Sequence, residues 1–222
     1  VLSRYVDGLV VRWAEHREVE ELAAAASVPV INGLTDLLHP VQALCDLFTL
    51  WERWDGPRLG LEAFRGRRLV YLGDGNNVAH SLLLAGALVG MEVTACCPAP
   101  LAPDPAVVAE ARALAARTGG RVEVVEDPGA AVVGADVLYT DVWASMGFEA
   151  EHERRARLLR PYQLNGELLG RAGPHAVVMH CLPAHRGEEI TAEVLDGPRS
   201  IVLDQAENRL HGQKALLAAL MR

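Results

Sequence analysis

Apolar positions along the chain follow two alternating patterns. Short, nearly continuous apolar runs rich in β-branched residues recur at 7–12 (DGLVVR), 28–32 (VPVIN), 68–73 (RLVYLG), 91–97 (MEVTACC), 121–126 (RVEVVE), 136–140 (DVLYT), 176–181 (AVVMHC) and 200–204 (SIVLD). Runs of this length and composition predict strands buried on both faces, as in parallel sheets. Helical periodicity fills the gaps at 15–26, 79–89, 105–118 and 212–222. Strand and helix in alternation predict an α/β fold with parallel sheets.

One stretch breaks the rhythm. HPVQALCDLFTLWERWDGPRLGLEAFRG (39–66) begins as a single long helix, and DGPRLG supplies its stop. A domain boundary is expected near residue 54. Residues 1–53 then form a first unit with a linking helix, 54–203 a Rossmann-like α/β unit, and 204–222 a terminal helix returning to the first.

Composition narrows the possibilities. The 222 residues, half of them hydrophobic, suffice for one large or two small aliphatic cores. A net charge of -8 without a basic stripe argues against nucleic acid, though a few local arginines would still hold a small anion. Lys214 is the only lysine, so nearly all positive charge is guanidinium. Four cysteines, including the adjacent Cys96 and Cys97, show neither disulfide nor zinc spacing, which favours a reducing, cytoplasmic setting. No apolar run reaches the ~18 residues of a membrane span. The opening VLSRYVDGLVV has neither methionine nor charged leader and reads as the middle of a domain.

Open parallel sheets bind ligands beyond the carboxyl ends of their strands. The polar residues expected there are Arg12, Asn32, Asn76, Asn77, Asp141, His180, Cys181 and Asp204. YLGDGNNVAHS (71–81) is a strand, a glycine turn and a helix start. It partly matches a dinucleotide fingerprint, but Val78 stands at the third glycine and no acid ends the next strand. Its glycines could serve only the turn, or its asparagine amides could hold a ligand at the helix N-terminus.

In TDVWASMG (140–147), Asp141 could pair with a cationic substrate or cap a helix, and Ser145, Met146 and Gly147 offer backbone donors. In LLHPVQ (37–42), His39 precedes a Pro at a favoured first helical position. Gln42 shares its helix face, and both side chains could hydrogen-bond a carbonyl and amide; a capping histidine is the plainer reading. Arg209 in DQAENRLHGQ is expected at the start of the last helix, where a surface ion pair is the plainer reading. Arg12 ends a buried strand, which is costly without an anion. In HCLP (180–183), Cys181 is either a small hydrophobe or a thiol that the Leu182–Pro183 turn aims outward. Cys45, Cys96 and Cys97 read as structural.

LHPVQ, GDGNN, DVWASMG, HCLPA and DQAENR, in that order, resemble the ornithine carbamoyltransferases of the aspartate/ornithine carbamoyltransferase superfamily, and the likeness covers nearly the whole chain. The resemblance implies transfer of a carbamoyl group from carbamoyl phosphate to the side-chain amine of L-ornithine, giving L-citrulline and phosphate. It implies Arg12, His39, Gln42, Arg209 and the backbone of Cys181 and Leu182 at carbamoyl phosphate, and Asn77, Asp141, Ser145 and Met146 at ornithine. It also implies a homotrimer, or a multiple of trimers, with no metal or organic cofactor, and a cis Leu182–Pro183 bond. The family's Ser-Thr-Arg-Thr-Arg phosphate loop has no counterpart in this sequence; it is expected on a segment of roughly eighty residues before Val1, judged from typical domain size. A related amine, such as an acylated ornithine or putrescine, is the nearer alternative substrate, and a dinucleotide-binding oxidoreductase the alternative from another class.

In that reaction a lysine-like amine of pKa about 10.4 is only about 0.04% neutral at pH 7, a deficit of about 4–5 kcal/mol. The expectation is therefore a Cys181 thiolate, its pKa lowered by positive neighbours, accepting a proton from the amine. Arg12 and His39 would then stabilise the oxyanion, and Arg209 the departing phosphate.

Overall fold

The computed structural model describes residues 1–143 and 152–221. Among the described residues the strands are β1 (Leu9–Arg12), β2 (Val30–Leu34), β3 (Arg68–Leu72), β4 (Glu92–Cys96), β5 (Arg121–Val125), β6 (Val137–Thr140) and β7 (Val177–His180). The α-helices are α1 (His16–Ala25), α2 (Pro40–Arg53), α3 (Gly56–Leu59), α4 (Asn77–Leu88), α5 (Pro105–Thr118), α6 (Pro128–Ala131), α7 (His152–Leu159), α8 (Gly166–Arg171), α9 (Ala192–Leu195) and α10 (Val202–Leu220).

β1 and β2 pair in parallel as a small sheet, and the other five strands form a parallel sheet in the order β5-β4-β3-β6-β7. Continuous apolar character explains the larger sheet. β3, β4, β6 and β7 are buried almost throughout, with one cluster of side chains on each face. α4 and α5 cover one face, where Tyr71 and Tyr139 stack at 6.0 Å. α6, α8 and α9 contribute to the cluster on the other. From β3 the chain winds to β4 and β5 on one side and later to β6 and β7 on the other. The crevice where such winding reverses lies between the ends of β3 and β6.

Three expectations need correction. β1 and β2 are not buried on both faces: Val10 is 65% exposed and Arg12 is exposed, because among the described residues this sheet has two strands and one face of β1 lies uncovered. Asn32 lies inside β2, which runs on to Leu34, so it does not end a strand. SIVLD is not a strand; Ser200 forms a single bridge with Val178, and the backbone turns at Ile201 into α10. Asp204 therefore sits in the first turn of a helix, and Arg209 well inside that helix, not at its start.

α10 packs along α2, where Gly212 permits close approach: a Cβ there would come 2.7 Å from Cys45 Sγ. α2 in turn contacts α4. Among the described residues, no helix is long and apolar enough to cross a membrane.

Candidate active site

The crevice between β3 and β6 gathers polar side chains. Asn76 caps α4, its Oδ1 accepting from the Val78 and Ala79 amides, and its Nδ2 donates to Asp141 Oδ2 at 2.7 Å. A short polar side chain at that position satisfies the helix's first amides and leaves its own donor free to point across the sheet. Asp141, just past β6, is buried; its Oδ1 also accepts from the Val142 amide at 2.8 Å and from the Cys181 thiol at 2.9 Å. Ends of three parallel strands thus bring together Asn76, Asp141 and Cys181.

The thiol is the clearest departure from expectation. Cys181 donates a hydrogen bond, and its pKa is pushed well above the ordinary thiol value, first by burial and then by the Asp141 charge and the hydrogen bond to it. With burial and the charges of Asp141 and Asp46 all favouring the neutral form, the resting group is a thiol, not the expected thiolate.

The turn after Cys181 is fixed from beneath. Leu182 adopts φ 56, a conformation that strains a side-chain-bearing residue, and the Leu182–Pro183 bond is cis, as expected. The Leu182 amide donates to His180 Nδ1 at 2.8 Å, and His180 Nε2 lies 3.0 Å from Glu189 Oε1 in full burial. Burial alone would raise the Glu189 pKa, but hydrogen bonds from His180 and the His185 amide bring it below the usual glutamate value. Ligand atoms of Asp141, His180 and Cys181 cluster closely enough to suggest a metal site. Both imidazole nitrogens are already engaged, however, so the cluster is not a ready-made ligand set.

The opposite flank is cationic. His39 is the N-cap of α2 without a side-chain cap bond; its amide donates to Ser81 Oγ at 2.7 Å. The buried ring has its pKa lowered to about 4, by desolvation first and then by the charges of Arg209 and Arg12. It is therefore neutral near pH 7, and its Nδ1 has no partner among the described residues. Arg12 is exposed, so the premise of a costly buried arginine fails, yet it and Arg209 converge electrostatically on His39. Gln42 is buried, with both ends of its amide in use: Nε2 donates to Asp46 and Oε1 accepts from Arg209. Asn77, at the first turn of α4, donates to the Thr35 carbonyl at 2.6 Å and so ties the segment before His39 to this helix. Ser145, Met146 and Gly147 lie outside the described residues.

The glycine turn does not suit a dinucleotide. Gly75 donates to the Leu101 carbonyl, and a Cβ on it would lie 2.3 Å from the Pro103 nitrogen. The chain's own backbone occupies the side where a pyrophosphate would approach, and Asp74 is ion-paired with Arg155.

Sequence reasoning gave no role to Asp46 or Gln205, both buried and hydrogen-bonded to each other at 2.7 Å. The signal was present: Gln42, Asp46 and Thr49 recur at helical spacing on the buried face of α2.

Comparison with known proteins agrees with this geometry. The carbamoyl-P binding domain of the aspartate/ornithine carbamoyltransferase family matches residues 1–52, and its Asp/Orn binding domain matches residues 65–220. The ornithine carbamoyltransferase of Methanothermobacter thermautotrophicus is 57% identical over 99% of this chain and 70% of its own length. The structure of the Pyrococcus furiosus ornithine carbamoyltransferase is 52% identical, with a TM-score of 0.92 over 99% of this chain and 68% of its own. That of the Gloeobacter violaceus enzyme is 52% identical, with a TM-score of 0.90 over 100% of this chain and 72% of its own. With both halves of the sequence and the whole fold in agreement, the chain belongs to the aspartate/ornithine carbamoyltransferase family.

Proposed function

We propose that this protein transfers the carbamoyl group of carbamoyl phosphate to the side-chain amine of L-ornithine, forming L-citrulline and phosphate. The observation that carries the reading is the buried Asp141–Cys181 hydrogen bond at the sheet crevice, facing the flank of His39, Arg12 and Arg209. One side can receive a cationic amino acid and the other an anionic carbamoyl donor.

The resting thiol modifies the mechanism. Two of the causes that raise its pKa come from Asp141: a negative charge and an accepted hydrogen bond. An ornithine ammonium that pairs with Asp141 cancels the first and competes for the second. Substrate binding itself thus moves Cys181 toward the thiolate, its proton passing to solvent, and the thiolate can then accept a proton from the attacking amine. The neutral nitrogen then adds to the carbamoyl carbon. Arg12 and the neutral His39 ring hydrogen-bond the developing oxyanion, and the carbon–oxygen bond to phosphate breaks while Arg209 balances the departing charge. Gln42 is engaged in holding Arg209, and Leu182 offers its carbonyl to the carbamoyl amide. Asn77 steadies the ornithine side, with Ser145 and Met146 assigned to the amino-acid end of ornithine on the strength of the resemblance.

We further assign carbamoyl phosphate to residues 1–53, ornithine to 54–203, and a return across both to 204–222. The separate β1–β2 sheet and the packing of α10 on α2 support this division. A cytoplasmic homotrimer, or a multiple of trimers, is the assembly that the family likeness favours; a solution mass that is no multiple of three protomers would overturn it.

The deciding experiment measures citrulline formation with ornithine beside putrescine, N-acetylornithine and aspartate. Carbamoylation of ornithine at least about a hundredfold faster in kcat/KM supports the reading. Preference for any of the others, or turnover of none, sinks it.

A further inference from the structure

Asp46 sits on α2, fully buried, and accepts three hydrogen bonds. Gln42 Nε2 donates to it at 2.8 Å, Gln205 Nε2 at 2.7 Å and the Tyr139 hydroxyl at 2.9 Å. Burial raises its pKa to about 6, opposed by hydrogen bonds from Gln205, Gln42 and Tyr139 and by the Arg209 charge, so it is chiefly ionised at neutral pH. An ionised carboxylate only accepts. Each glutamine must therefore turn its NH2 inward, and this fixes where its carbonyl oxygen points. Gln42 Oε1 faces Arg209, and Gln205 Oε1 accepts from the His180 amide at 2.9 Å, one residue before Cys181.

We propose that Asp46 and Gln205 are positioning residues for the carbamoyl transfer. Asp46 sets the polarity of two amides, and those amides hold Arg209 on one flank and the Cys181 turn on the other. The inference rests on the functional reading above for what Arg209 and Cys181 do. Its structural core, the orientation of the two amides, stands without it. Among the described residues Asp46 is hydrogen-bonded to the two glutamines and Tyr139; its charge also reaches Cys181, whose pKa it raises, and Arg209, but the orientation of those two groups is set through the glutamines.

Four variants of the enzyme, Asp46→Asn, Asp46→Leu, Gln205→Met and Tyr139→Phe, are compared by steady-state kinetics, thermal unfolding and hydrogen exchange of the His180 amide. Asn at 46 keeps an oxygen for both glutamines and can donate to Tyr139, so kcat and both KM values stay within roughly threefold of wild type. Leu at 46 removes the acceptor: KM for carbamoyl phosphate rises, and His180 exchange accelerates, each by about tenfold or more, although Asp46 does not touch His180. Gln205→Met accelerates the same amide and lowers kcat by about tenfold, while KM for carbamoyl phosphate moves less than about threefold. Tyr139→Phe leaves both glutamines turned and the kinetics near wild type.

The proposal is overturned if His180 exchange is unchanged in Gln205→Met, or if Asp46→Asn loses as much kcat/KM as Gln205→Met. It is also overturned if all four variants lose thermal stability with no kinetic split. Should Asp46→Leu not fold, the Asp46→Asn and Gln205→Met pair decides by the same criteria. Amide exchange needs no turnover, so an inactive wild-type protein would count against the functional reading and leave this test in force.

Discussion

On the β6–β7 flank of the crevice, both oxygens of Asp141 are engaged, by Asn76, the Val142 amide and the Cys181 thiol. Across it, on the flank formed by β1, α2 and α10, His39 presents a buried nitrogen with no partner among the described residues, and Arg12 is exposed. One side is a closed set of hydrogen bonds that a substrate must break into. The other is a convergence of positive charge around one buried nitrogen that has no partner among the described residues. On the proposed reading, each substrate's binding energy is used differently: the amino acid would exchange an internal bond for a charged one, which would also alter the thiol, whereas the phosphate end would add contacts outright.

Asp141→Asn breaks the anionic flank most severely. Losing one partner of a buried charge pair costs about 3–4 kcal/mol, so KM for ornithine is expected to rise several hundredfold while that for carbamoyl phosphate changes little. Equal rises in both would contradict the division of labour.

The cationic flank is sharpened by pH. His39 has a folded pKa of about 4 against 6.5 for the free side chain, so the unfolded chain binds its proton more readily. Its contribution to stability is complete above pH 6.5 and lost as pH falls from there toward 4, by up to about 3 kcal/mol. Thermal unfolding across that window should fall less steeply in His39→Gln than in wild type. Parallel curves would mean that His39 is not held neutral by its surroundings.

Cys181→Ser keeps a donor to Asp141 but not a group acidic enough to become an anion when ornithine pairs with Asp141, and so to accept the amine's proton. A kcat decrease of about a hundredfold is expected, with the basic limb of the pH–rate profile moved to higher pH. An unshifted profile would remove the thiol from proton transfer. Last, Gly212→Ala places a methyl against Cys45 Sγ and should push α10 off α2. A stability loss of about 1–2 kcal/mol is expected, with a modest rise in KM for carbamoyl phosphate and none for ornithine; the reverse selectivity would place α10 with the other flank.

Much of this architecture was legible in the order of residues. Continuous β-branched runs located β3 to β7 within a residue or two, and Pro105–Thr118 matches its helical pattern in both limits. SIVLD failed because three apolar residues suit a strand or the first turn of a buried helix equally well; here the bridge at Ser200 is followed at once by α10. Arg12 failed for another reason: burial depends on what covers a strand, and no pattern within the run records that.

The candidate site was half legible. Motifs singled out Asp141 and Cys181, but not that they bond to each other in the resting state, because a protonation state depends on neighbours distant in sequence. Asp46 and Gln205 meet across 159 positions, and only the recurrence of polar residues at helical spacing on the buried faces of α2 and α10 hinted at them.

Gln205 and Arg209 stand four residues apart on α10, one turn of the same rigid rod. A shift of that rod along its axis would carry the grip on the leaving group and the footing of the sulfur-bearing turn together. Catalytic pace and affinity for the carbamoyl donor should consequently drift in step whenever α10 is perturbed at a distance, because no hinge among the described residues of that helix lets them part.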